Sequence, residues 1–170
     1  PNYQYDYQKL IGKPINSIYG YVAAGLYKDQ AEIDAWPKQE FGAIVRPGDI
    51  KYKDLNGDGV IDGKDMTSLG YPTIPEITYG LGASIQWKNF DFSFFFQGVT
   101  NVAIEMRNHH PFVTNQYSGY NMQMWIAKDH WTPENQNVNA AYPRLSSSWN
   151  VNNTQTSSFW IKDGSYLRLK

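Results

Sequence analysis

The chain has 170 residues, a formal net charge of -1 and no cysteine, so its length suits one domain and disulfides and thiolate metal sites are excluded. The near-neutral charge excludes a broad basic surface for nucleic acid, and no run of about 18 apolar residues exists that would cross a membrane as a helix. Aromatic residues make up 16% of the chain and charged residues only 18%. This mixture is typical of a membrane β-barrel with aromatic girdles, and equally of a sugar-binding β-sandwich.

The first fifty residues predict short elements separated by turns. Residues 12–21 read as a turn followed by an extended segment. Residues 29–36 predict a short helix, with Asp29 as N-cap and Glu32 at the spacing of a capping box. Pro37 follows and ends this helix, because proline lacks the N–H that a helix requires.

The acidic segment 54–65 follows a predicted turn at 46–49 and a short predicted strand at 50–53. Counted from its first residue, it carries side-chain oxygens at positions 1, 3, 5, 9 and 12, and Gly59 at position 6. This is the ligand spacing of an EF-hand-type calcium loop, in which position 7 contributes a backbone carbonyl. The predicted calcium ligands are Asp54, Asn56, Asp58, Val60, Asp62 and Asp65.

The chemistry of calcium explains this spacing, since the ion takes six to eight oxygen ligands and alternate residues of a tightly wound loop turn inward. Asp65 replaces the glutamate usual at position 12 and has a shorter reach, as in dockerin-type loops. The sequence has no second loop of this kind and no long flanking helices, which indicates a structural ion. Asp, Asn and Gly also form tight turns without metal, and that alternative stays open.

The clearest predicted structure is a β-hairpin over residues 76–98. Residues 77–87 alternate between apolar side chains and small or polar ones, residues 88–89 (Lys-Asn) form a two-residue turn, and residues 90–97 alternate again. Strands of about 9 to 11 residues cross a bilayer in barrels that have short turns on one side. The alternative is a sandwich hairpin with one face on a core and one in solvent.

Residues 99–157 are predicted as a long loop region with a short helix within 120–130. So long an irregular stretch is unusual in a compact soluble domain but ordinary in the extracellular loops of a membrane barrel. Residues 158–170 return to strand character, and the pattern predicts a truncated strand.

The remaining chemistry-bearing residues do not form a recognisable site. His109, His110 and His130 lack further ligands at metal-binding spacing. Asp129 and Glu134 flank residues 131–133 (Trp-Thr-Pro), and we interpret them as stabilising this loop, not as an acid/base pair. We therefore predict no catalytic residues and no enzyme activity. The tryptophans outside the hairpin favour packing over stacking on sugars: Trp36, Trp125, Trp131, Trp149 and Trp160.

Seven separated segments together resemble the SusC/RagA family of TonB-linked outer-membrane transporters. They are 12–15 (Gly-Lys-Pro-Ile) with 18–21 (Ile-Tyr-Gly-Tyr), 46–54 (Arg-Pro-Gly-Asp-Ile-Lys-Tyr-Lys-Asp) running into the acidic loop, 70–81 with its Thr-Tyr-Gly-Leu end, 94–98 (Phe-Phe-Phe-Gln-Gly), 131–135 (Trp-Thr-Pro-Glu-Asn), 142–145 (Tyr-Pro-Arg-Leu) and 158–170.

The resemblance implies that residues 1–170 are part of the C-terminal β-barrel domain of a larger transporter: an all-β fold of antiparallel strands and long loops, with one or two short helices. It further implies the bacterial outer membrane as location, contact with its lipid, a SusD-like surface lipoprotein and the TonB complex as partners, and import of oligosaccharides or peptides. Nucleic acid is not expected as a partner. The competing interpretation is a soluble, calcium-stabilised β-sandwich that binds glycans.

Overall fold

The computed structural model describes residues 3–106, 123–147 and 149–170. Within these ranges the chain consists mainly of strands with two short α-helices, as predicted, and none of the described helices is long and apolar enough to span a membrane. The helices are α1 (Gln30–Ala35) and α2 (Met124–Lys128). The strands are β1 (Ser17–Tyr21), β2 (Ala23–Leu26), β3 (Lys38–Gln39), β4 (Ile50–Tyr52), β5 (Val60–Ile61), β6 (Met66–Pro72), β7 (Ile77–Trp87), β8 (Phe90–Thr100), β9 (Ala103–Glu105), β10 (Ile161–Asp163) and β11 (Tyr166–Leu169).

These strands form five small sheets. β7, β8 and β11 make one antiparallel sheet with β8 in the centre, and β1–β6, β2–β4 and β9–β10 are antiparallel pairs. The described strands do not close into a barrel. The prediction of antiparallel strands fails at β3 and β5, which pair in parallel, with Lys38 opposite Val60 and Gln39 opposite Ile61.

The hairpin predicted over residues 76–98 is confirmed. β7 and β8 pair residue for residue from Ile77 opposite Thr100 to Trp87 opposite Phe90. Lys88, the first turn residue, has φ +55°, and positive φ at this position is a property of the tight turns whose twist matches a hairpin. β8 then pairs with β11 on its other side, where Leu169 lies opposite Phe96.

The register of this three-stranded sheet, hereafter the wall sheet, separates its two faces. Cross-strand partners share a face and successive residues alternate, so the apolar residues of all three strands lie together. This apolar face carries Ile77, Tyr79, Leu81, Ala83, Ile85 and Trp87, with Phe90, Phe92, Phe94 and Phe96, and Leu167 and Leu169. The opposite face carries Gly80, Gly82, Ser84 and Gln86, with Asp91, Ser93, Phe95 and Gln97, and Tyr166 and Arg168.

Two glycines of the wall sheet make room for an aromatic ring. A Cβ on either Gly80 or Gly82 would come within 2.9 Å of the Phe95 ring, which lies across both. A side chain at either glycine would displace the ring, so both positions favour glycine. This contact accounts for the position of Phe95, which with Tyr166 is one of two aromatic side chains on the otherwise small and polar face.

The rest of the described chain, hereafter the body, packs around its own hydrophobic core. The rings of Tyr21, Phe41 and Tyr52 contact one another with centroids 4.9 to 5.5 Å apart. The buried core residues come from strands, α2 and loops far apart in sequence: Tyr21, Leu26, Ile50, Tyr52, Ile61, Ile126, Trp131, Ala140, Tyr142 and Trp160.

Helix α1 begins as predicted, but its acidic residue acts differently. The Asp29 side chain accepts the Glu32 N–H at 2.9 Å, which confirms Asp29 as the N-cap. Glu32 reaches back to the N–H of Lys28 at 2.7 Å, one residue before the cap, and also pairs with Lys51 on β4. The Glu32 carboxylate thus ties the helix start to a neighbouring strand, a contact that local spacing does not reveal.

The region after β8 contains more structure than its sequence pattern predicts. β9 lies inside the segment predicted as loop, and it pairs with β10. Residues 158–170 form two strands instead of one, separated at Gly164–Ser165, where the Asp163 side chain accepts the Ser165 N–H at 2.8 Å. Strands of three or four residues are too short for alternation to indicate them.

Candidate functional site

Two short strands attach the acidic loop 54–65 to the core of the body. β4 precedes it and contributes Ile50 and Tyr52 to the core, and β5 lies within it and contributes Ile61, which is fully buried. The parallel pairing of β5 with β3 fixes the second half of the loop to the body. The loop is therefore anchored whether or not it holds an ion.

The first three predicted ligands fold over the loop backbone. Asp54 accepts the N–H groups of Gly57 at 2.6 Å and Gly59 at 2.8 Å, one on each carboxylate oxygen. The Asn56 side-chain oxygen accepts the Asp58 N–H at 2.9 Å. These bonds wind residues 54–59 tightly, with both glycines at positive φ.

The last two predicted side-chain ligands have structural roles. Asp65 is fully buried, and its two oxygens accept the N–H groups of Leu55 at 2.7 Å and Asp62 at 3.0 Å, so it closes the loop on itself. Asp62 caps the short 3₁₀ turn Gly63–Asp65 by accepting the Lys64 N–H at 2.7 Å.

Lys64 places a positive charge between two of the predicted ligands. Its ammonium lies 3.4 Å from a carboxylate oxygen of Asp58 and 3.6 Å from one of Asp62. The Val60 N–H and the Asn56 side chain, with Lys64, lower the pKa of Asp58, and the hydrogen bond to Asp58 raises the pKa of Lys64. Asp58 is thus held in its charged form, which is also the form that binds a cation.

The loop has the donor chemistry that calcium prefers, but the structure does not assemble a full ligand set. Within the described residues, no group of three or more Asp, Glu, His or Cys side chains is placed to hold a metal ion. The carboxylates and the amide are instead satisfied by backbone N–H groups and Lys64. Calcium binding would use the same oxygens and would require Lys64 to move aside.

Sequence reasoning did not foresee the buried polar cluster around Asp49. This fully buried carboxylate forms an ion pair with Arg144, Nε to Oδ1 2.7 Å, and accepts hydrogen bonds from the side-chain amides of Asn150 and Asn153, each at 2.9 Å. It also accepts the Arg46 N–H at 2.8 Å, which closes the turn 46–49. The Arg-Pro-Gly-Asp and Tyr-Pro-Arg-Leu segments, about a hundred residues apart, therefore form one structural unit.

The other candidates are resolved only in part. His109 and His110 lie outside the described residues. Asp129 accepts the Ala141 N–H at 3.4 Å, which agrees with a loop-stabilising role. Packing is confirmed for Trp36 and Trp160, whose indole N–H groups donate to the Tyr52 and Asn153 carbonyls, both at 2.8 Å.

Comparison with known proteins gives consistent relatives. No family model matches the chain. It is 34% identical over 164 residues to TonB-dependent receptor P26 of Formosa agariphila, covering 95% of this chain and 15% of the relative. TonB-dependent receptor P3 of Formosa agariphila is 30% identical over 161 residues, covering 94% and 15%. The chain belongs to the SusC/RagA-like TonB-dependent receptors.

Solved structures of this family show the same fold. The RagAB peptide importer in the open-open state aligns with a TM-score of 0.59 at 20% identity, over 94% of this chain and 15% of that one. The RagAB peptide transporter aligns with a TM-score of 0.57 at 17% identity, over 91% and 15%. The chain spans about 15% of the length of the curated TonB-dependent receptors it matches. These relatives favour the transporter interpretation over the soluble sandwich, and their names are those of receptors and transporters, not of enzymes.

Proposed function

We propose that this chain forms part of the barrel wall and outer loops of a TonB-dependent nutrient importer in the bacterial outer membrane. The wall sheet carries the proposal. Its apolar face is exposed, with Leu81 at 70% and Phe90 at 73%, although large apolar side chains are normally buried. In a barrel wall, that face contacts lipid hydrocarbon and the polar face lines the interior.

The dimensions of the wall sheet support this arrangement. β7 and β8 each have eleven residues, which matches the roughly 9 to 11 tilted residues of a strand that crosses a bilayer. Trp87 and Phe90 flank the tight turn on the apolar face, where an aromatic belt at the membrane surface would lie. Both long strands therefore have the length and the end residues of a transmembrane hairpin.

The substrates and partners follow from the same proposal. RagAB is a peptide importer, and we infer that the substrate here is a peptide or an oligosaccharide. We further propose a SusD-like surface lipoprotein as partner and energy supplied through the TonB complex.

Uptake by cells that carry the full-length receptor tests the proposal. We expect labelled peptides or oligosaccharides to accumulate only when both the receptor and TonB are present, and the receptor to fractionate with outer membranes. A receptor that fractionates with soluble protein, or uptake that is unchanged when it is deleted, would contradict the importer role.

We also propose that the acidic loop binds one structural calcium ion through Asp54, Asn56, Asp58, the Val60 carbonyl, Asp62 and Asp65. The loop carries four carboxylates against one ammonium, and Lys64 already occupies the space between two of them as a cation. A divalent ion would compete for those oxygens with a larger charge. When bound, calcium would stabilise the loop, and these residues would hold it in place of Lys64.

Calorimetric titration of the full-length receptor with calcium tests this second proposal. We expect one site, abolished by Asp54→Ala and by Asp58→Ala, and strengthened by Lys64→Met because the competing ammonium is removed. Asp34→Ala, which removes an exposed carboxylate of α1, is the matched control and should leave the titration unchanged. Equal heats for the natural receptor and both loop variants would reduce the segment to a metal-free turn.

A further inference from the structure

The acidic loop contains two adjoining residue pairs that are prone to spontaneous covalent change. Residues 56–57 are the one Asn-Gly pair of the chain, and residues 58–59 form an Asp-Gly pair. In such pairs the backbone nitrogen of the glycine attacks the side-chain carbonyl carbon of the residue before it, because glycine has no Cβ to hinder the approach. Both glycines are exposed, and a Cβ on either would have no atom of the described residues within 4 Å. Water therefore reaches both pairs.

The reaction at Asn56 needs only water from outside the protein. A bond forms from the Gly57 nitrogen to Asn56 Cγ, and the bond from Cγ to Nδ2 breaks. Ammonia leaves with the proton that the Gly57 nitrogen gives up, and a five-membered succinimide remains. Water then opens this ring at either carbonyl, which gives aspartate or isoaspartate. Ring closure at Asp58 uses the Gly59 nitrogen in the same way and releases water in place of ammonia.

A single carboxylate holds both attacking nitrogens. Asp54 accepts the Gly57 N–H on Oδ1 at 2.6 Å and the Gly59 N–H on Oδ2 at 2.8 Å. Each nitrogen must lose its proton to react, and a negative charge forming there would lie beside the charge of Asp54. A carboxylate is itself too weak a base to take a backbone amide proton. These charge-assisted hydrogen bonds therefore oppose the reaction.

The side chains that would be attacked are also held in place. Asn56 accepts the Asp58 N–H on Oδ1 and donates from Nδ2 to the Asp58 carboxylate, both at 2.9 Å. Asp58 in turn accepts the Val60 N–H at 3.0 Å. Each side chain is thus oriented by the residue two positions further on. Ring closure requires these bonds to break, so that Cγ can turn toward the next nitrogen.

We propose that Asn56 is a deamidation site, that Asp58 is a slower isomerisation site, and that Asp54 protects both while the loop is wound. Asp54 is a positioning residue, because it acts through the two glycine N–H groups. Deamidation would remove the Nδ2 donor of Asn56 and place a new carboxylate beside Asp58, and isoaspartate would add an atom to the backbone. Modification would therefore unwind the loop. The inference depends neither on importer activity nor on calcium binding.

Peptide mapping of the full-length receptor in detergent tests the inference, after incubation at mildly alkaline pH with a chelator present. Mass spectrometry measures conversion of Asn56 to the acid, and chromatography separates the isoaspartate products. We expect Asn56 to deamidate at least about tenfold more slowly in the folded receptor than in the same receptor in urea. Asp54→Ala should deamidate about tenfold faster than the natural folded receptor, the effect of losing one charge-assisted hydrogen bond. Asp34→Ala, which removes an exposed carboxylate outside the loop, is the matched control and should leave the rate unchanged.

Three results would overturn the inference. They are equal rates in the folded and urea-denatured natural receptor, a rate in folded Asp54→Ala that is no higher than the natural one, and an unchanged rate in urea for Gly57→Ala, whose added Cβ should hinder the attack. Tryptophan fluorescence shows whether each variant is folded. If Asp54→Ala unfolds, Asp54→Asn replaces it, since it keeps an acceptor oxygen without the charge, and its rate should lie between those of the natural and urea-denatured receptor.

Discussion

The wall sheet and the body use similar residues in opposite ways. In the body, Trp160 and Tyr52 are almost completely buried, and even Asp49 and Asn152 lie inside. In the wall sheet, apolar side chains such as Leu169 remain exposed on one face of a regular antiparallel sheet. The body buries its apolar side chains in its own core, whereas the apolar face of the wall sheet requires an apolar partner outside the described residues.

This difference shows that aromatic content alone does not indicate burial. Each large apolar side chain buried in the body contributes about 1.5 to 3 kcal/mol, whereas the same side chain on the wall sheet gains this only on contact with lipid or another apolar surface. The two regions should therefore respond differently to substitution, and the following variants test that contrast.

The largest effect is expected in the body from Asp49→Ala. The change leaves the Arg144 guanidinium without its counterion and the amides of Asn150 and Asn153 without their acceptor, so the free energy of unfolding should fall by about 3 to 5 kcal/mol. Denaturant unfolding of the full-length receptor, monitored on the body, measures the loss. A decrease below about 1 kcal/mol would show that the cluster does not hold the body together.

A charge on the apolar face of the wall sheet should have the next largest effect. Leu81→Arg places a guanidinium against hydrocarbon and should cost about 2 to 4 kcal/mol of folding free energy in a bilayer. Ser84→Arg, three residues away on the opposite face, should cost far less. Reversible folding of the full-length receptor into lipid vesicles measures both, and equal costs would remove the distinction between the faces.

Gly48→Ala tests the contact between the turn 46–49 and Trp131 in the body. Gly48 has φ +84°, and a Cβ there would overlap the Trp131 ring, so we expect a loss of about 2 to 3 kcal/mol. Gly42→Ala is the control, since Gly42 also has positive φ (+75°) but no atom of the described residues lies within 4 Å of the added atom. Its loss should be about 1 kcal/mol in thermal melting, and an equal loss at both positions would exclude the contact with Trp131.

The smallest effect concerns Tyr21 at alkaline pH. Burial, with Asp62 and Asp65 nearby, raises the pKa of Tyr21 from 10.0 to about 12. Because the folded pKa lies above the unfolded one, the body is fully stabilised below pH 10 and loses stability as pH rises toward 12, by about 1 kcal/mol at about pH 10.5. Tyr21→Phe should flatten this decline in stability, and an unchanged pH profile would contradict the assigned cause.

The parts of the fold that could be predicted are those determined by residues close together in the sequence. The alternation of residues 77–87 predicted the hairpin and its two faces, and Asp29 predicted the start of α1. The pairing of β11 with β8 was not predictable, because some 66 residues separate the strands and four residues carry little register information. The parallel β3–β5 pair was not predictable either, because each strand has only two residues.

For the candidate sites, the sequence indicated residue types but not their partners. The spacing of residues 54–65 identified an oxygen-rich loop, yet Asp65 bonds to backbone N–H groups inside the loop, a role that spacing cannot distinguish from that of a ligand. The Asp49–Arg144 contact joins residues far apart in the chain, so only the folded structure reveals it. The indole N–H of Trp131 has no acceptor among the described residues, and this too is a property of packing.

Attachment of an environment-sensitive fluorophore to the wall sheet tests the central claim most directly. Leu81→Cys and Ser84→Cys, labelled separately in the full-length receptor in vesicles, report on the two faces of one strand. We predict blue-shifted emission and quenching by brominated lipid for the label at position 81, and water-like emission without lipid quenching at position 84. The same emission and the same quenching at both positions would contradict the assignment of one face to lipid and the other to the barrel interior.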